Sequence, residues 1–241
     1  MAVVVYSKAG DGTGQKLAAA LGVEANLDSD ILYQEKLVGW GATQAITSRK
    51  RLNKAAAVRV ASRKVGLWEM LGAEGMPTPQ LATLEDYGKK IILWRTQNHA
   101  AGTDIVVQEI GEEIPTFIDG RIHYPVVYVP NDGEYRIWVW KGEVILAQRK
   151  WKTIAPCHEW IRSHWAWEGF TPQDLASPLY TNATNTVKLC GLDFGAVDVL
   201  RATNVSREKR YVVLEVNTAP VLREEDSLPL FVERIKGWME E

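Results

Sequence analysis

Residues 191–220 read GLDFGAVDVLRATNVSREKRYVVLEVNTAP, and the fold turns on how they pair. Two runs rich in β-branched residues flank a charged, turn-forming connection, the pattern of two antiparallel strands. Side chains alternate along a strand, so Glu215 and Asn217 share one face of the second run. Asp198 joins them if the pairing sets it opposite 213 or 215; a slip of one residue sends it to the other side. The outcome is a patch of two carboxylates and one amide oxygen, with no Cys or His beside it. Hard oxygen donors of this kind suit Mg²⁺ or Mn²⁺ and not zinc. The same residues also fit the solvated face of a plain hairpin, since antiparallel sheets often keep one face wet.

The wording of the stretch goes further than its spacing. G-L-D-F-G-A-V-D-V-L followed by L-E-V-N-T-A-P resembles the metal-binding end of the ATP-grasp ligases, whose strands carry a D and then E-x-N with a nearby proline. The resemblance implies that Asp198, Glu215 and Asn217 hold Mg²⁺ or Mn²⁺, two ions, bridging the phosphates of ATP.

Composition is compatible with such an enzyme and excludes other classes. A chain of 241 residues has ample length for one large domain or two or three small lobes. A hydrophobic fraction of 46% and a charged fraction of 24% are those of a soluble globular protein. A net charge of −2 gives no reason to expect a nucleic acid or an anionic membrane as partner. The short basic run Ser48 to Arg51 reads as solvated helix surface. Two cysteines, Cys157 and Cys190, are too few for a disulfide framework and point to a reducing compartment. No apolar run approaches the ~20 residues of a membrane span. The opening MAVVVYSKAG lacks the basic region and long apolar core of a signal peptide, so the expected location is cytoplasmic.

In chain order, Ala2 to Tyr6 reads as a buried strand, followed by a loop from Ser7 to Gly14 and a helix through Ala20. Gly10-x-Gly12-x-Gly14 is one residue short of the dinucleotide fingerprint, and Gln15 stands where a P-loop needs lysine. The glycines are therefore assigned to the turn. Leu37 to Gly41 is a second strand of the same open α/β lobe. Asn53 to Gly75 is periodic and Ala-rich, one or two helices, ended by Gly75 and the prolines at 77 and 79. The phrase from Asn53 to Pro79 is similar to the ATP-grasp entry segment, in which a lysine reaches the ATP phosphates; Lys64 is its match.

Lys90 to Arg95 and Asp104 to Gln108 read as a hairpin with a polar tip. In ATP-grasp proteins this hairpin carries a cation, usually Lys, and a glycine-rich loop over the phosphates. Arg95 and Gly102 hold those places, and arginine grips phosphate with a planar, permanently charged fork. The loop from Asn98 to Gly102 has one glycine where many relatives have several, a form similar to short ATP-grasp proteins of bacteriophages. Tyr124 to Pro130 reads as a strand. By the resemblance it links two lobes and offers backbone groups of Val127 and Val129, with Tyr128 between them, to adenine.

Glu134 to Trp140 and Glu143 to Lys150 form a hairpin about Lys141-Gly142, similar to the [DE]-x-R hairpin of ATP-grasp ligases. Arg136 would then face the transferred phosphoryl group, with Lys150 or Lys152 adding charge. Trp151 to Phe170 holds four of the ten tryptophans. Cys157, His158 and His164 there lack a fourth ligand and C-x-x-C spacing, so zinc is not expected. Ile161 to His164 is similar instead to the family's R-[SN]-N region, which assigns a catalytic place to Arg162. Thr171 to Leu189 reads as a helix, and Leu222 to Glu241 as a charged connection and an amphipathic helix.

The resemblance is to carboxylate–amine ligases of the ATP-grasp superfamily, such as ribosomal-protein glutamate ligase-like and bacteriophage members. It implies a mixed α/β and α+β fold: an α/β lobe over 1–52, then an ATP-grasp domain over 53–241 whose lobes, about 76–127 and 128–241, clasp ATP. The implied reaction joins a small-molecule or peptide carboxylate to an amine through an acyl phosphate, releasing ADP and phosphate. Small-molecule kinase chemistry and a nucleotide-binding regulator without turnover are the alternatives.

Overall fold

The computed structural model describes residues 2–6, 11–27, 33–96, 105–116, 123–152, 165–170, 177–203 and 205–241. The chain opens with β1 (Ala2–Tyr6), α1 (Asp11–Leu21), β2 (Glu24–Leu27), β3 (Tyr33–Trp40) and β4 (Thr47–Leu52). These strands make a parallel sheet of order β2-β1-β3-β4. Val3, Val4 and Val5 are fully buried in the interior strand β1, the unbroken apolar run that a sheet covered on both faces demands.

Two expectations are corrected here. Gly12 and Gly14 lie inside α1 and not in a turn. A β-carbon at Gly14 would sit 2.6 Å from Tyr6 Cβ, so that glycine lets helix and strand approach closely. The basic run at 48–51 belongs to β4, an edge strand paired only to β3, and not to a helix. Charges along an edge discourage further strands from adding to it.

Asn53 then turns the chain in the left-handed region, at φ 53°. Its buried side chain accepts from the N–H groups of Asp193 (2.8 Å) and Phe194 (3.1 Å) and donates to the Phe194 carbonyl (3.0 Å). The Asp193 carboxylate accepts from the Asn53 N–H at 2.7 Å. The expected helical stretch is two helices, α2 (Ala55–Ser62) and α3 (Lys64–Ala73), broken at Arg63 (φ −95°, ψ 89°). After α3 the Pro77 carbonyl accepts from Val213 N–H at 2.9 Å, tying the entry segment to the later sheet.

A three-stranded antiparallel sheet follows, of β5 (Ile92–Thr96), β6 (Val106–Gln108) and β7 (His123–Val127) in the order β6-β5-β7. Residues 128–130 are a connection, shorter in strand than the Tyr124–Pro130 run expected. The last unit holds β8 (Asn131–Trp140), β9 (Glu143–Lys152), β10 (Trp165–Phe170), α4 (Ser177–Leu189), β11 (Phe194–Ala202), β12 (Tyr211–Asn217) and α5 (Ser227–Glu240). Its strands form an antiparallel sheet of order β10-β9-β8-β11-β12. Lys141 (φ 44°) and Gly142 (φ 85°) make the two-residue turn of the β8–β9 hairpin. β10 was not foreseen.

Alternation splits this sheet into two faces. Tyr135, Ile137, Val139, Val197, Val199 and Val213 pack against α2, α3 and α4. On the other face Trp138, Trp140 and Phe194 meet Trp40 of β3 and Phe231 of α5, with Phe194 and Phe231 5.5 Å apart edge to face. This aromatic knot seats the first sheet and α5 against one end of the large sheet. Its other end is left to a different chemistry.

Candidate functional site

Further along that second face the side chains are Glu134 and Arg136 of β8, Asp198 of β11, and Glu215 and Asn217 of β12. Asp198 stands opposite Glu215 on one side and Arg136 on the other, and Asn217 stands opposite Ala196. Of the two registers open from sequence, the chain adopts the pairing of 198 with 215, with an irregularity immediately after Asp198. The Asn217 amide donates to Asp198 Oδ2 at 3.1 Å, so the three oxygen-bearing side chains share one face.

Each carboxylate has a cation on it. Arg136 Nε and Nη2 donate to the two Asp198 oxygens, both at 2.7 Å, a two-point grip. Lys64, the first residue of α3, places Nζ 2.5 Å from Glu215 Oε2. The helix is held over β12 by Trp68, whose indole donates to the Leu214 carbonyl at 2.8 Å. Lys150 of β9 lies 3.3 Å from both oxygens of Glu134. From the three-stranded sheet, Arg95 lies opposite Tyr124 and within electrostatic reach of Glu215 and Glu134.

The electrostatics follow from burial opposed by pairing. Burial pushes the Glu215 carboxyl up, but Lys64, then Arg95 and Arg136, pull it down further, and it ends below its ordinary range. Glu134 goes the other way: burial and the neighbouring Asp198 outweigh Lys150 and Arg136, raising it. Burial lowers Arg95 despite Tyr124, Glu215 and Glu134. Arg136 is raised, since Asp198 and Glu134 more than offset its burial. Among the described residues, Lys64, Arg95, Arg136 and Lys150 thus gather around the carboxylates of Glu134, Asp198 and Glu215.

No family model matches the chain, and no curated protein matches it. Among solved structures, the ATP-grasp ligase PsnB complexed with minimal precursor, Mg and ADP aligns over 98% of this chain and 96% of its own, with TM-score 0.68 at 13% identity. The chain has the ATP-grasp fold. D-alanine–D-alanine ligase from Bacillus anthracis complexed with ATP aligns over 98% of this chain and 92% of its own, with TM-score 0.64 at 13% identity. The macrocyclase MdnC from Microcystis aeruginosa MRC, bound with precursor peptide MdnA, aligns over 98% and 99%, with TM-score 0.61 at 12% identity.

On this ATP-grasp chain the expected residues are distributed unevenly. Lys64, Arg95, Arg136, Asp198, Glu215 and Asn217 come together from α3, β5, β8, β11 and β12. Val127, Tyr128 and Val129 lie where the three-stranded sheet passes into β8. There the N–H groups of Val127 and Tyr128 donate to the carbonyls of Gln80 and Ile91, both at 2.9 Å, and Asn131 donates to the Val129 carbonyl at 3.0 Å. The Val127 N–H is thus engaged inside the protein; carbonyls there retain a second lone pair for a base edge. Gly102, Arg162, Cys157, His158 and His164 lie outside the described residues, as does the side chain of Lys152.

Glu134 was missed as a site residue. Its signal was the E-x-R spacing, which puts Glu134 and Arg136 on one face of a strand. Among the described residues no group of three or more His, Cys, Asp or Glu side chains is placed to hold a metal ion. The hard-oxygen set is Asp198, Glu215 and the amide of Asn217, and its chemistry fits Mg²⁺ or Mn²⁺.

Proposed function

We propose that this ATP-grasp chain is an ATP-dependent carboxylate–amine ligase that releases ADP and phosphate. The observation that supports this is the gathering of Lys64, Arg95, Arg136 and Lys150 around Asp198, Glu215 and Asn217. A polyanion such as ATP needs cations for its phosphates, and metal ions need oxygen donors beside them.

Asp198, Glu215 and Asn217 would hold Mg²⁺ or Mn²⁺, two ions, and such ions spread phosphoryl charge as it moves between oxygens. Lys64, Arg95 and Gly102 are the residues assigned to the phosphates. Val127, Tyr128 and Val129 border the adenine. Arg136, with Arg162, draws the substrate carboxylate toward the γ-phosphate, which anion repulsion would otherwise keep apart. A carboxylate oxygen attacks that phosphorus and ADP leaves. The amine, as its free base, then attacks the carbonyl carbon of the acyl phosphate, the C–O bond breaks, and inorganic phosphate departs with the transferred oxygen while the nitrogen's proton passes to that phosphate or to water. The ATP-grasp domain is taken as 53–241, with 1–52 as a preceding lobe.

The neighbours named above include a ligase complexed with a minimal precursor, a macrocyclase bound with a precursor peptide and a D-alanine–D-alanine ligase, so both peptide and small-molecule acids belong in the screen. With Mg-ATP, hydroxylamine and the correct acid, the chain is expected to form a hydroxamate and to move carboxylate ¹⁸O into released phosphate. A stable phosphomonoester with no ¹⁸O transfer would instead establish a kinase.

A further inference from the structure

Two ion pairs at the site, Arg136 with Asp198 and Lys64 with Glu215, use the oxygens assigned to metal. Arg136 holds Asp198 at two points, and the side chains are 19% and 4% exposed. Lys64 places Nζ 2.5 Å from Glu215 Oε2, with side chains 12% and 27% exposed. A planar fork matched to a carboxylate is fixed by its geometry, whereas an ammonium on a four-carbon stem can swing. Lys64 is the first residue of α3, immediately after the break at Arg63.

We propose that Lys64 is an exchangeable occupant of the metal site: it neutralises Glu215 while no nucleotide is bound and transfers to phosphate when the metal–nucleotide complex enters. This rests on the reading of Glu215 as a metal ligand. A metal ion held by Glu215 and an ammonium on the same carboxylate would repel each other as like charges. The metal arriving alone must expel Lys64 into a region already crowded by Arg95 and Arg136. Arriving with nucleotide, it brings the phosphate that receives the lysine. Metal and nucleotide are thereby coupled through one side chain, and by linkage each strengthens the other equally.

The test measures Mn²⁺ binding to the full chain by the paramagnetic resonance of unbound Mn²⁺, with and without ADP, as well as ADP binding. Wild type is expected to bind Mn²⁺ ~10-fold or more tightly with ADP than without, a normal size for site coupling. Lys64→Gln is expected to tighten nucleotide-free Mn²⁺ binding ~10-fold, to shrink the ADP effect and to weaken ADP binding. Lys64→Arg keeps the charge and adds a fork, so its nucleotide-free Mn²⁺ binding stays as weak as that of wild type, or weaker. Unchanged or weaker nucleotide-free binding in Lys64→Gln, or tighter binding in Lys64→Arg, overturns the inference while leaving the ligase reading intact. No Mn²⁺ uptake by wild type even with ADP removes the metal assignment itself, and the inference with it.

Discussion

Strands β8 and β11 present one face whose two ends have opposite chemistry. At one end Trp138, Trp140 and Phe194 close around Phe231 and Trp40; at the other Glu134, Arg136 and Asp198 meet Lys150, Lys64 and Glu215. The aromatic end gains stability from every contact, through burial and favourable ring geometry. The ionic end takes charges from water, where pairing at best roughly offsets the desolvation. Its groups are thus poor stabilisers and good instruments, and the sheet that carries them is made firm a few residues away.

The largest effect should come from the aromatic end. Phe231 is fully buried, so Phe231→Ala is expected to remove ~3–5 kcal/mol of stability in urea melts. A loss below 1 kcal/mol would mean the knot is not the anchor described. Next in size, Glu215→Gln should leave the protein folded yet cut ATP turnover at least ~100-fold, about 2.7 kcal/mol of transition-state stabilisation. Normal turnover in that variant would detach Glu215 from the chemistry and dissolve the contrast between the two ends.

A subtler separation lies within the ionic end. Glu215 titrates below the ordinary value of 4.5, so its stabilising contribution is complete above that value and fades as pH falls through its folded value. Glu134 titrates above 4.5, so its contribution is complete below that value and is lost as pH rises through its folded value. Relative to wild type, the destabilisation by Glu215→Gln should therefore shrink between pH 7 and pH 4, and that by Glu134→Gln should grow. Parallel trends would show that the two carboxylates share one environment. The smallest effect belongs to the surface: Arg234→Ala breaks an exposed pair with Glu143, 3.0 Å long, and should change stability by less than ~1 kcal/mol.

How much of this was legible depended on whether the information was local. Alternation alone set Glu215 and Asn217 on one face, and the hairpin about Lys141-Gly142 followed from its turn residues. The partner of Asp198 was not local, because 213 and 215 share a face by alternation and only the irregularity beside Asp198, seen in the structure, accompanies the choice of 215. Lys64 was singled out only by family resemblance, since a helix lysine is indistinguishable in sequence from a solvated one. Glu134 was readable from its spacing to Arg136 and was overlooked. β4 was misread because T-S-R-K-R-L on an edge strand carries the charge of a helix surface. β10, W-A-W-E-G-F, has no polar alternation to announce it.

Asn53 carries a consequence for synthesis. Its partners Asp193 and Phe194 lie 140 and 141 residues downstream, a separation that takes a ribosome roughly 7–30 s to cover at ~5–20 residues per second. Throughout that interval the first sheet has emerged, while the side chain of the left-handed asparagine at its exit lacks these partners. A nascent chain paused before Phe194 thus lacks both the hydrogen-bond partner of the Asn53 side chain and the ring that stacks on Trp40.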